Sequence, residues 1–261
     1  MMRYAALALA VVATLFASPT LAACAFTELP AKSVQVEAGV TSDGLTKNRG
    51  GWNEQYLQAV SRNGNQFSAY GRIAEDQRFA SNDPSYEAGF YTELGKHLIA
   101  DLSGNFSPTH SVLPATVVSG GLDYRLSDGY GVQGHFAERT FPTQTVGITT
   151  LGVDRYAGIA RVAVVFSFAH LSTAPGTAVS ETLVIARYLP CDNESVSISN
   201  GRDVELTGVG SGPAVFKAVG YDVNDVHWFT KHLALNVGAG WYLLIGAYNR
   251  FEVRVALRER L

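Results

Sequence analysis

The feature that most constrains this chain is an alternation of apolar and polar side chains that recurs along it downstream of Cys24. In the stretch from Phe251 to Leu257, sequence FEVRVAL, apolar residues occupy every second position, and glutamate, arginine and alanine lie between them. A period of two is the period of a β-strand with two different faces, and an α-helix does not produce it. About fourteen such stretches predict an all-β chain in which one face of each strand meets an apolar environment.

The composition helps to decide between a protein core and a lipid bilayer as that apolar environment. Hydrophobic residues make up 47% of the chain and charged residues only 16%. Beyond the N-terminal leader the apolar residues are dispersed, which favours a belt against lipid on a closed barrel. We therefore predict an antiparallel transmembrane β-barrel of about fourteen strands, with about twelve strands as the alternative and a soluble periplasmic sandwich as a further one.

The N-terminus has the organisation of a secretory signal peptide. One basic residue, Arg3, precedes an apolar stretch from Tyr4 to Ala17, and small residues follow. The apolar stretch is too short for a membrane-spanning helix, so we expect cleavage near Ala22 or Ala23. The predicted division of the chain is a signal peptide at 1–23, a short periplasmic segment at 24–31 and an outer-membrane barrel domain at 32–261.

The chain has two cysteines, Cys24 and Cys191, so a framework of several disulfides is excluded. Residues 21–24, LAAC, resemble a bacterial lipoprotein cleavage motif, which makes Cys24 a possible lipidation site. The alternatives are that Cys24 is removed with the leader or that it pairs with Cys191. A free Cys191 in a tight turn is the simplest expectation.

The strand pattern predicts which side chains face lipid and which face the lumen. From Gln66 to Ile73, the apolar face carries Phe67 and Ile73, and the other face carries Tyr70 and Arg72. An arginine near the middle of the lipid face would cost about 2–4 kcal/mol, so the arginines fix the register. The candidate lumen-lining residues are Tyr70, Arg72, Tyr91, Asp101, His135, Arg139, Arg161, Arg187, Asn236 and Arg254.

Connections between the strands are expected to alternate between short turns in the periplasm and longer outer loops. Among the predicted outer loops are Glu75–Pro84 and Ser107–Pro114. The segment from Glu194 to Leu206 is weakly patterned, and this segment decides between fourteen strands and twelve. Either even number places both chain ends in the periplasm.

A series of short motifs, in this order, resembles the YaiO family of outer-membrane β-barrel proteins over nearly the whole mature chain. The resemblance implies an outer-membrane barrel linked to cell-surface or exported polysaccharide, and it brings no catalytic residues with it. The matching features are Trp52, Arg78-Phe79 with Asp83 and Tyr86, Leu113-Pro114, Gly121–Tyr124, Val153–Tyr156 with Gly158, Tyr188, Asp192, Val196–Ser199 and Gly201–Glu205.

Catalytic and metal-binding chemistry is not indicated by the sequence. His110 and Ser111 are adjacent in an outer loop, and neighbours cannot easily form the aligned pair that activates a serine nucleophile. No cofactor or metal is expected, and a formal net charge of −3 does not suggest nucleic acid as a partner. The expected partners are outer-membrane lipid, the barrel insertion machinery and a polysaccharide, with the protein as a monomer.

Three functions remain open on the sequence alone. The first is a non-catalytic barrel for the passage, export or surface handling of polysaccharide. The second is a closed barrel whose outer loops, especially Glu75–Pro84 and Ser107–Pro114, bind a surface partner. The third is a lipid- or glycan-modifying enzyme that uses His110 or Ser111.

Overall fold

A computed structural model describes residues 32–47, 50–64, 66–206, 208–209 and 211–261. In these residues fourteen antiparallel strands form one closed barrel, in which each strand pairs with its neighbours in sequence and β1 pairs with β14. The strands are β1 Lys32–Leu45, β2 Trp52–Asn63, β3 Phe67–Arg78, β4 Ser81–Glu93, β5 Leu98–Phe106, β6 Thr116–Arg125, β7 Tyr130–Thr140, β8 Thr145–Ala157, β9 Ala160–Leu171, β10 Thr177–Tyr188, β11 Asp192–Glu205, β12 Ala214–Trp228, β13 Leu233–Ile245 and β14 Asn249–Arg260.

A single 3-10 turn, Ser127–Gly129, is the helical element of the described chain. No helix in that part of the chain is long and apolar enough to cross a membrane. The predictions about the signal peptide and about Cys24 fall on residues outside the described ranges.

The weakly patterned segment is a full strand, β11, which confirms fourteen strands and makes the alternative of twelve wrong. Gly201 explains why its pattern is weak, because its φ of +142° lies in a region that residues with a Cβ rarely adopt. A Cβ at this position would overlap the backbone of Val179 and Ser180 on the neighbouring strand. The local change in backbone direction interrupts the alternation that a regular strand would show.

The two faces of the wall differ as the alternation predicts. On β9, Val162, Phe166 and Phe168 point outward and are exposed, whereas Ala163 and Ala169 point inward and are buried. The same division holds around the ring, so that exposed large apolar side chains form a band on the outer surface. A closed ring leaves no strand edge unpaired, and the wall can therefore stand in hydrocarbon.

The two ends of the barrel have different connections. The turn end carries the start of β1, the end of β14 and the short connections, such as residues 158–159 and 189–191. The loop end carries the remaining connections, of which residues 107–115 and 206–213 are the longest. We use these two names throughout.

The predicted outer loop Glu75–Pro84 is wrong. Here β3 and β4 continue as a hairpin that is closed by Phe79 and Ala80, whose φ values are +50° and +62°. Polar residues indicated a loop, but strands that extend beyond the apolar band carry polar residues on both faces. Phe79 packs edge-on against Trp52, with ring centroids 5.3 Å apart, and this contact holds the tight turn.

Cys191 is disulfide-bonded, so the expectation of a free thiol is wrong. It lies in the turn between β10 and β11 and is buried in a cluster with Val226, Trp228 and Ala234. A turn was predicted here, but the burial of this turn against β12 and β13 was not.

The apolar band yields a test of the strand faces. Replacing Val164, an outward residue in the middle of β9, with arginine should lower the free energy of unfolding by about 2–4 kcal/mol, because the cation must enter hydrocarbon. The measurement is equilibrium denaturant unfolding in lipid vesicles. Thr150→Arg on β8 is the matched control, because Thr150 faces the lumen and its replacement should cost much less. Equal losses for the two variants would contradict the assigned faces.

The lumen as candidate functional site

One cavity lies inside the barrel towards the loop end and has a volume of about 790 Å³, and we call it the loop-end cavity. Its wall is mostly polar and includes side chains from most strands, among them Arg72 and Arg139. Two further lumen cavities, of about 820 Å³ at the turn end and about 340 Å³ beside β1 and β14, are also lined by Arg72. Arg72 therefore stands where the three cavities meet.

Arg72 is held in that position by its neighbours on β2. It forms an ion pair with Glu54, and its guanidinium lies over the Tyr56 ring at 4.2 Å from the centroid. Tyr56 in turn donates a 2.7 Å hydrogen bond to Glu37. These contacts fix a cation and its carboxylate partner where the three lumen cavities meet.

A second group of ion pairs is centred on two arginines of β14 and reaches carboxylates on β1, on β12 and on β14 itself. Arg254 binds Asp222 at 2.9 Å and Glu252 at 2.8 Å, and Arg258 binds Glu37 at 2.6 Å. These side chains are partly buried, where an unpaired charge would be costly. The inward arginines of this wall are therefore largely neutralised by carboxylates.

The group at β5 to β7 is built around a histidine. The His135 ring lies between two carboxylates, with Nδ1 3.3 Å from Asp101 and Nε2 3.2 Å from Asp123. Gly121 makes room for this ring, because a Cβ there would overlap His135. The prediction had named Asp101 and His135 separately, and the structure brings them together.

Arg139 differs from Arg72, Arg254 and Arg258, which are paired with carboxylates. It lines the loop-end cavity, and no ion pair to it occurs among the described residues. It can therefore offer its donors to a polar molecule in the lumen.

Three tyrosine rings point inward at the turn end and remain open to water. Tyr91, Tyr156 and Tyr188 are 49%, 47% and 40% exposed, whereas most other exposed large apolar side chains of the strands face outward. Tyr156 stacks with Tyr188 at 6.3 Å between centroids, and Tyr91 lies 6.3 Å from Tyr70. Open aromatic faces of this kind can stack against the apolar face of a sugar ring. We call Tyr91, Tyr156 and Tyr188 the tyrosine arc.

Arg161 supports the tyrosine arc. Its Nε donates a 2.7 Å hydrogen bond to Asp154, and its guanidinium lies 5.6 Å from the Tyr156 centroid. The tyrosine arc thus combines exposed aromatic ring faces with the ion pair of Arg161 and Asp154 at the lumen wall.

Two of the predicted lumen residues are placed differently from the rest. Arg187 faces outward, contrary to the prediction, because it shares the face of Leu183 and Ile185 on β10 and pairs across strands with outward Glu194. Its ion pair with Glu194 measures 2.7 Å, and nearer the loop end Asn200 donates a 3.3 Å hydrogen bond to Glu181 on the same outer surface.

Asn236 faces inward on β13, but it does not line any of the three lumen cavities.

Loop residues fold over the lumen at the loop end. Val112, Leu113 and Pro114 line the loop-end cavity, and Pro213 joins them from the loop between β11 and β12. Gln144 donates a 2.5 Å hydrogen bond to the Pro213 carbonyl, which ties two loops together. The loop end is therefore narrowed by ordered backbone.

Asp83 is the anchor of this arrangement. Its side chain is fully buried, and it accepts hydrogen bonds from the Val112 amide at 2.6 Å, the Leu113 amide at 2.9 Å and the Thr109 hydroxyl at 2.6 Å. One carboxylate thus holds three groups of the 107–115 loop. In the sequence Asp83 was one of the residues that resemble the YaiO family. Its role as the anchor of the 107–115 loop could not be predicted, because the groups that it binds lie far along the chain.

Beside this loop, an apolar cluster fills the loop end between β2 and β14. Trp52 and Tyr248 are almost completely buried there and pack against Leu244 and Ala247. The cations Arg78 and Arg250 lie over the Trp52 ring at 4.8 and 5.4 Å. This cluster closes part of the loop end with side chains.

The residues considered for catalysis do not form a reactive pair in the described chain. His110 Nδ1 lies 3.1 Å from the Pro108 carbonyl and 3.3 Å from the Ser107 carbonyl, and none of its described hydrogen bonds reaches Ser111. Within the described ranges no group of histidine, cysteine, aspartate or glutamate is arranged to hold a metal ion.

Replacing Asp83 should release the 107–115 loop. In Asp83→Ala the amides of Val112 and Leu113 lose their acceptor, and each lost bond of this kind costs about 1–3 kcal/mol. Hydrogen exchange of a peptide that covers the loop should therefore become faster by about tenfold or more. Asn82→Ala, at the adjacent outward position, is the control and should leave the exchange unchanged. Unchanged exchange in Asp83→Ala would show that other contacts hold the loop.

Among solved structures the chain is similar to several porin-like barrels. The structure described as "Bacterial polysaccharide outer membrane secretin" is 8% identical with a TM-score of 0.55, over 90% of this chain and 100% of that one. Salmonella typhi OmpF with daunomycin is 11% identical with a TM-score of 0.49, over 87% and 97% of the two chains. KdgM porin is 11% identical with a TM-score of 0.47, over 84% and 97%. At such low identity the similarity concerns the fold.

No curated protein is similar enough to this chain to count as a match. A family model described as the YaiO membrane beta barrel domain matches residues 33–203, which is more than half of the chain. This match confirms the resemblance inferred from the ordered motifs. Together with the closed fourteen-stranded wall and its apolar band, it shows that the chain belongs to the YaiO membrane β-barrel family and is an integral outer-membrane protein.

Proposed function

We propose that this protein is a non-catalytic conduit that handles polysaccharide at the outer membrane, with the tyrosine arc as the place where the polymer enters. The observation that carries the proposal is the half-exposed inward rings of Tyr91, Tyr156 and Tyr188 at the turn end. The short turns of outer-membrane barrels face the periplasm, so the arc faces the compartment from which a polymer is exported.

The charge pattern of the lumen supports a polymer that is held weakly. Most inward arginines are paired with carboxylates, as in Arg254 with Asp222 and Arg258 with Glu37. A lumen whose charges are paired offers hydrogen bonds without a strong electrostatic field of one sign. Such a lumen is better suited to the hydroxyl groups of a sugar polymer than to the tight binding of an ion. The guanidinium of Arg139, which forms no ion pair within the described part of the chain, adds donors further along the path.

The solved polysaccharide secretin supports the same proposal. It has the same fold, and its description names a polysaccharide as what that protein handles. The expectation from family resemblance points in the same direction.

A second candidate function is favoured by the loop end. The 107–115 loop anchored by Asp83 and the cluster around Trp52 narrow the lumen there, which is what a closed barrel with a binding surface requires. In that case the outer surface of the 107–115 loop would be the binding site. Electrical conductance separates the two candidates.

The first test is single-channel recording of the refolded mature protein in a planar bilayer. A conduit gives reproducible current steps, and Arg72→Ala should give larger steps because it removes the side chain at which the three cavities meet. Arg155→Ala is the matched control, because Arg155 faces outward at the end of β8. Silence from protein that is shown to be folded would reject the conduit and favour the closed barrel.

The role of the tyrosine arc is tested by sugar block. Tyr156→Ala should weaken the block of current by an added oligosaccharide series about two- to tenfold, since an aromatic stacking contact contributes about 0.5–1.5 kcal/mol. Neutral and uronic-acid oligomers, added from the turn-end side, are the probes. Tyr124→Ala removes an outward tyrosine and is the control. Equal block in the two variants would remove the arc from the path, and unchanged glycan export in a deletion strain would reject the polysaccharide function itself.

A further inference from the structure

Arg139 is the one charged residue on the half of the loop-end cavity that β5 to β10 provide. The other residues of these strands that line the cavity are uncharged, and the structure describes all six strands completely. The inward residues directly opposite Arg139 are Val117 on β6 and Val146 on β8. The Arg139 side chain is exposed to the cavity, so its guanidinium is open to a ligand.

The other four arginines that line the cavity each have a carboxylate beside them. Arg202 is followed in the chain by Asp203, which lines the same cavity. The remaining three form ion pairs, namely Arg72 with Glu54, Arg78 with Asp76 and Arg250 with Glu205. Glu87, on β4, accepts a 2.6 Å hydrogen bond from the Tyr70 hydroxyl. Positive charge without a local counter-charge is thus found at Arg139.

An apolar cluster borders Arg139 on the side of β8. Val146 is buried there together with Ala169 and Leu171, and Phe141 packs against them. The 107–115 loop closes over the same place, because the Ala115 amide donates a 2.7 Å hydrogen bond to the Thr140 carbonyl. Apolar side chains and ordered backbone keep bulk water away on these sides, which strengthens a charged hydrogen bond made by Arg139.

Neutral hydrogen-bonding side chains lie on the side of β6 and β5. Ser119 is opposite Ala137, the inward residue that precedes Arg139, and Asn105 is opposite Val117 on the next strand. Both residues line the loop-end cavity. Since neighbouring strands are about 5 Å apart, Ser119 and Asn105 lie within roughly 10 Å of Arg139 along the wall. They are within reach of a sugar unit bound at the guanidinium.

We propose that the loop-end cavity is a binding site for an acidic sugar unit, whose carboxylate pairs with the Arg139 guanidinium. A guanidinium donates two parallel hydrogen bonds to a carboxylate. Ser119 and Asn105 bind the ring hydroxyl groups, and the apolar cluster meets the C–H face of the ring. A volume of about 790 Å³ is within the usual range of ligand pockets, about 300–1,000 Å³.

This inference rests on the proposed function and narrows it, because it assigns the polymer to the polysaccharides that carry carboxylates. The tyrosine arc accepts ring faces at the turn end, and Arg139 recognises charge near the loop end. A single open cation among paired charges holds one acidic unit at a time. Binding of that strength leaves the polymer free to move on.

The test is calorimetric titration of the folded mature protein in detergent, which needs no open channel. The probes are a short oligosaccharide that contains glucuronic acid and its carboxyl-reduced form, in which each carboxylate is replaced by a primary alcohol. The acidic form should bind about tenfold or more tightly, since hydrogen bonds to charged groups are the stronger kind. Arg139→Gln should remove this preference. Arg139→Lys should keep part of it, because lysine retains the charge but not the paired donors.

Arg155→Gln is the matched control and should leave the preference unchanged. Arg155 faces outward at the end of β8, and its guanidinium lies over the Tyr130 ring at 5.0 Å from the centroid. Heat-modifiable migration on gels checks that each variant is folded.

The outcomes separate this inference from the proposed function. Equal binding of the two forms to the wild type would overturn the acidic-sugar site and leave the proposed function standing. A preference that persists in Arg139→Gln would overturn the site as well. So would a preference that inorganic phosphate abolishes at the same concentration as the oligosaccharide and at constant ionic strength, because that identifies a simple anion site. A preference that Arg139→Gln removes, in a barrel without current steps, would support the site and reject the conduit.

Discussion

The pairing of β1 with β14 is the contact on which the rest of the structure depends. Without it the wall would be an open sheet with two rows of unpaired amides and carbonyls, each of which costs several kcal/mol in hydrocarbon. When β1 pairs with β14, these amides and carbonyls form hydrogen bonds with each other. The same pairing fixes which side chains face the lumen. The ion pairs, the tyrosine arc and the folded loops are all consequences of the register that closure sets.

The same register brings opposite charges together. Glu37 on β1 is directly opposite Arg258 on β14, and the two side chains form an ion pair at 2.6 Å. Partly buried charges that lack a partner are strongly unfavourable, so a lumen built from charged residues is stable only in the register that pairs them. Charge pairing therefore specifies the strand alignment as well as the character of the lumen.

The alternation in the sequence was sufficient to predict the closed fold and the two faces of most strands. It failed for Arg187, although Leu183 and Ile185 at the same parity would have indicated an outward face. It also failed at Phe79 and Ala80, because a tight turn there depends on packing against Trp52. The anchor at Asp83 and the burial of Cys191 depend on partners far along the chain, and a local pattern carries no information about them.

The outer surface of β10 and β11 has a consequence for the membrane itself. The ion pair of Arg187 with Glu194 and the hydrogen bond of Asn200 with Glu181 bound its apolar stretch at both ends. From position 181 to 187 a strand rises about 20 Å, or about 15 Å along the membrane normal at a tilt near 40°. A barrel of this class has an apolar band about 25 Å tall, so lipid beside these two strands must be compressed by roughly 10 Å or admit water and headgroups to the polar pairs. Beside β10 and β11 the protein thus imposes on the bilayer a hydrocarbon layer thinner than the usual apolar band of such a barrel.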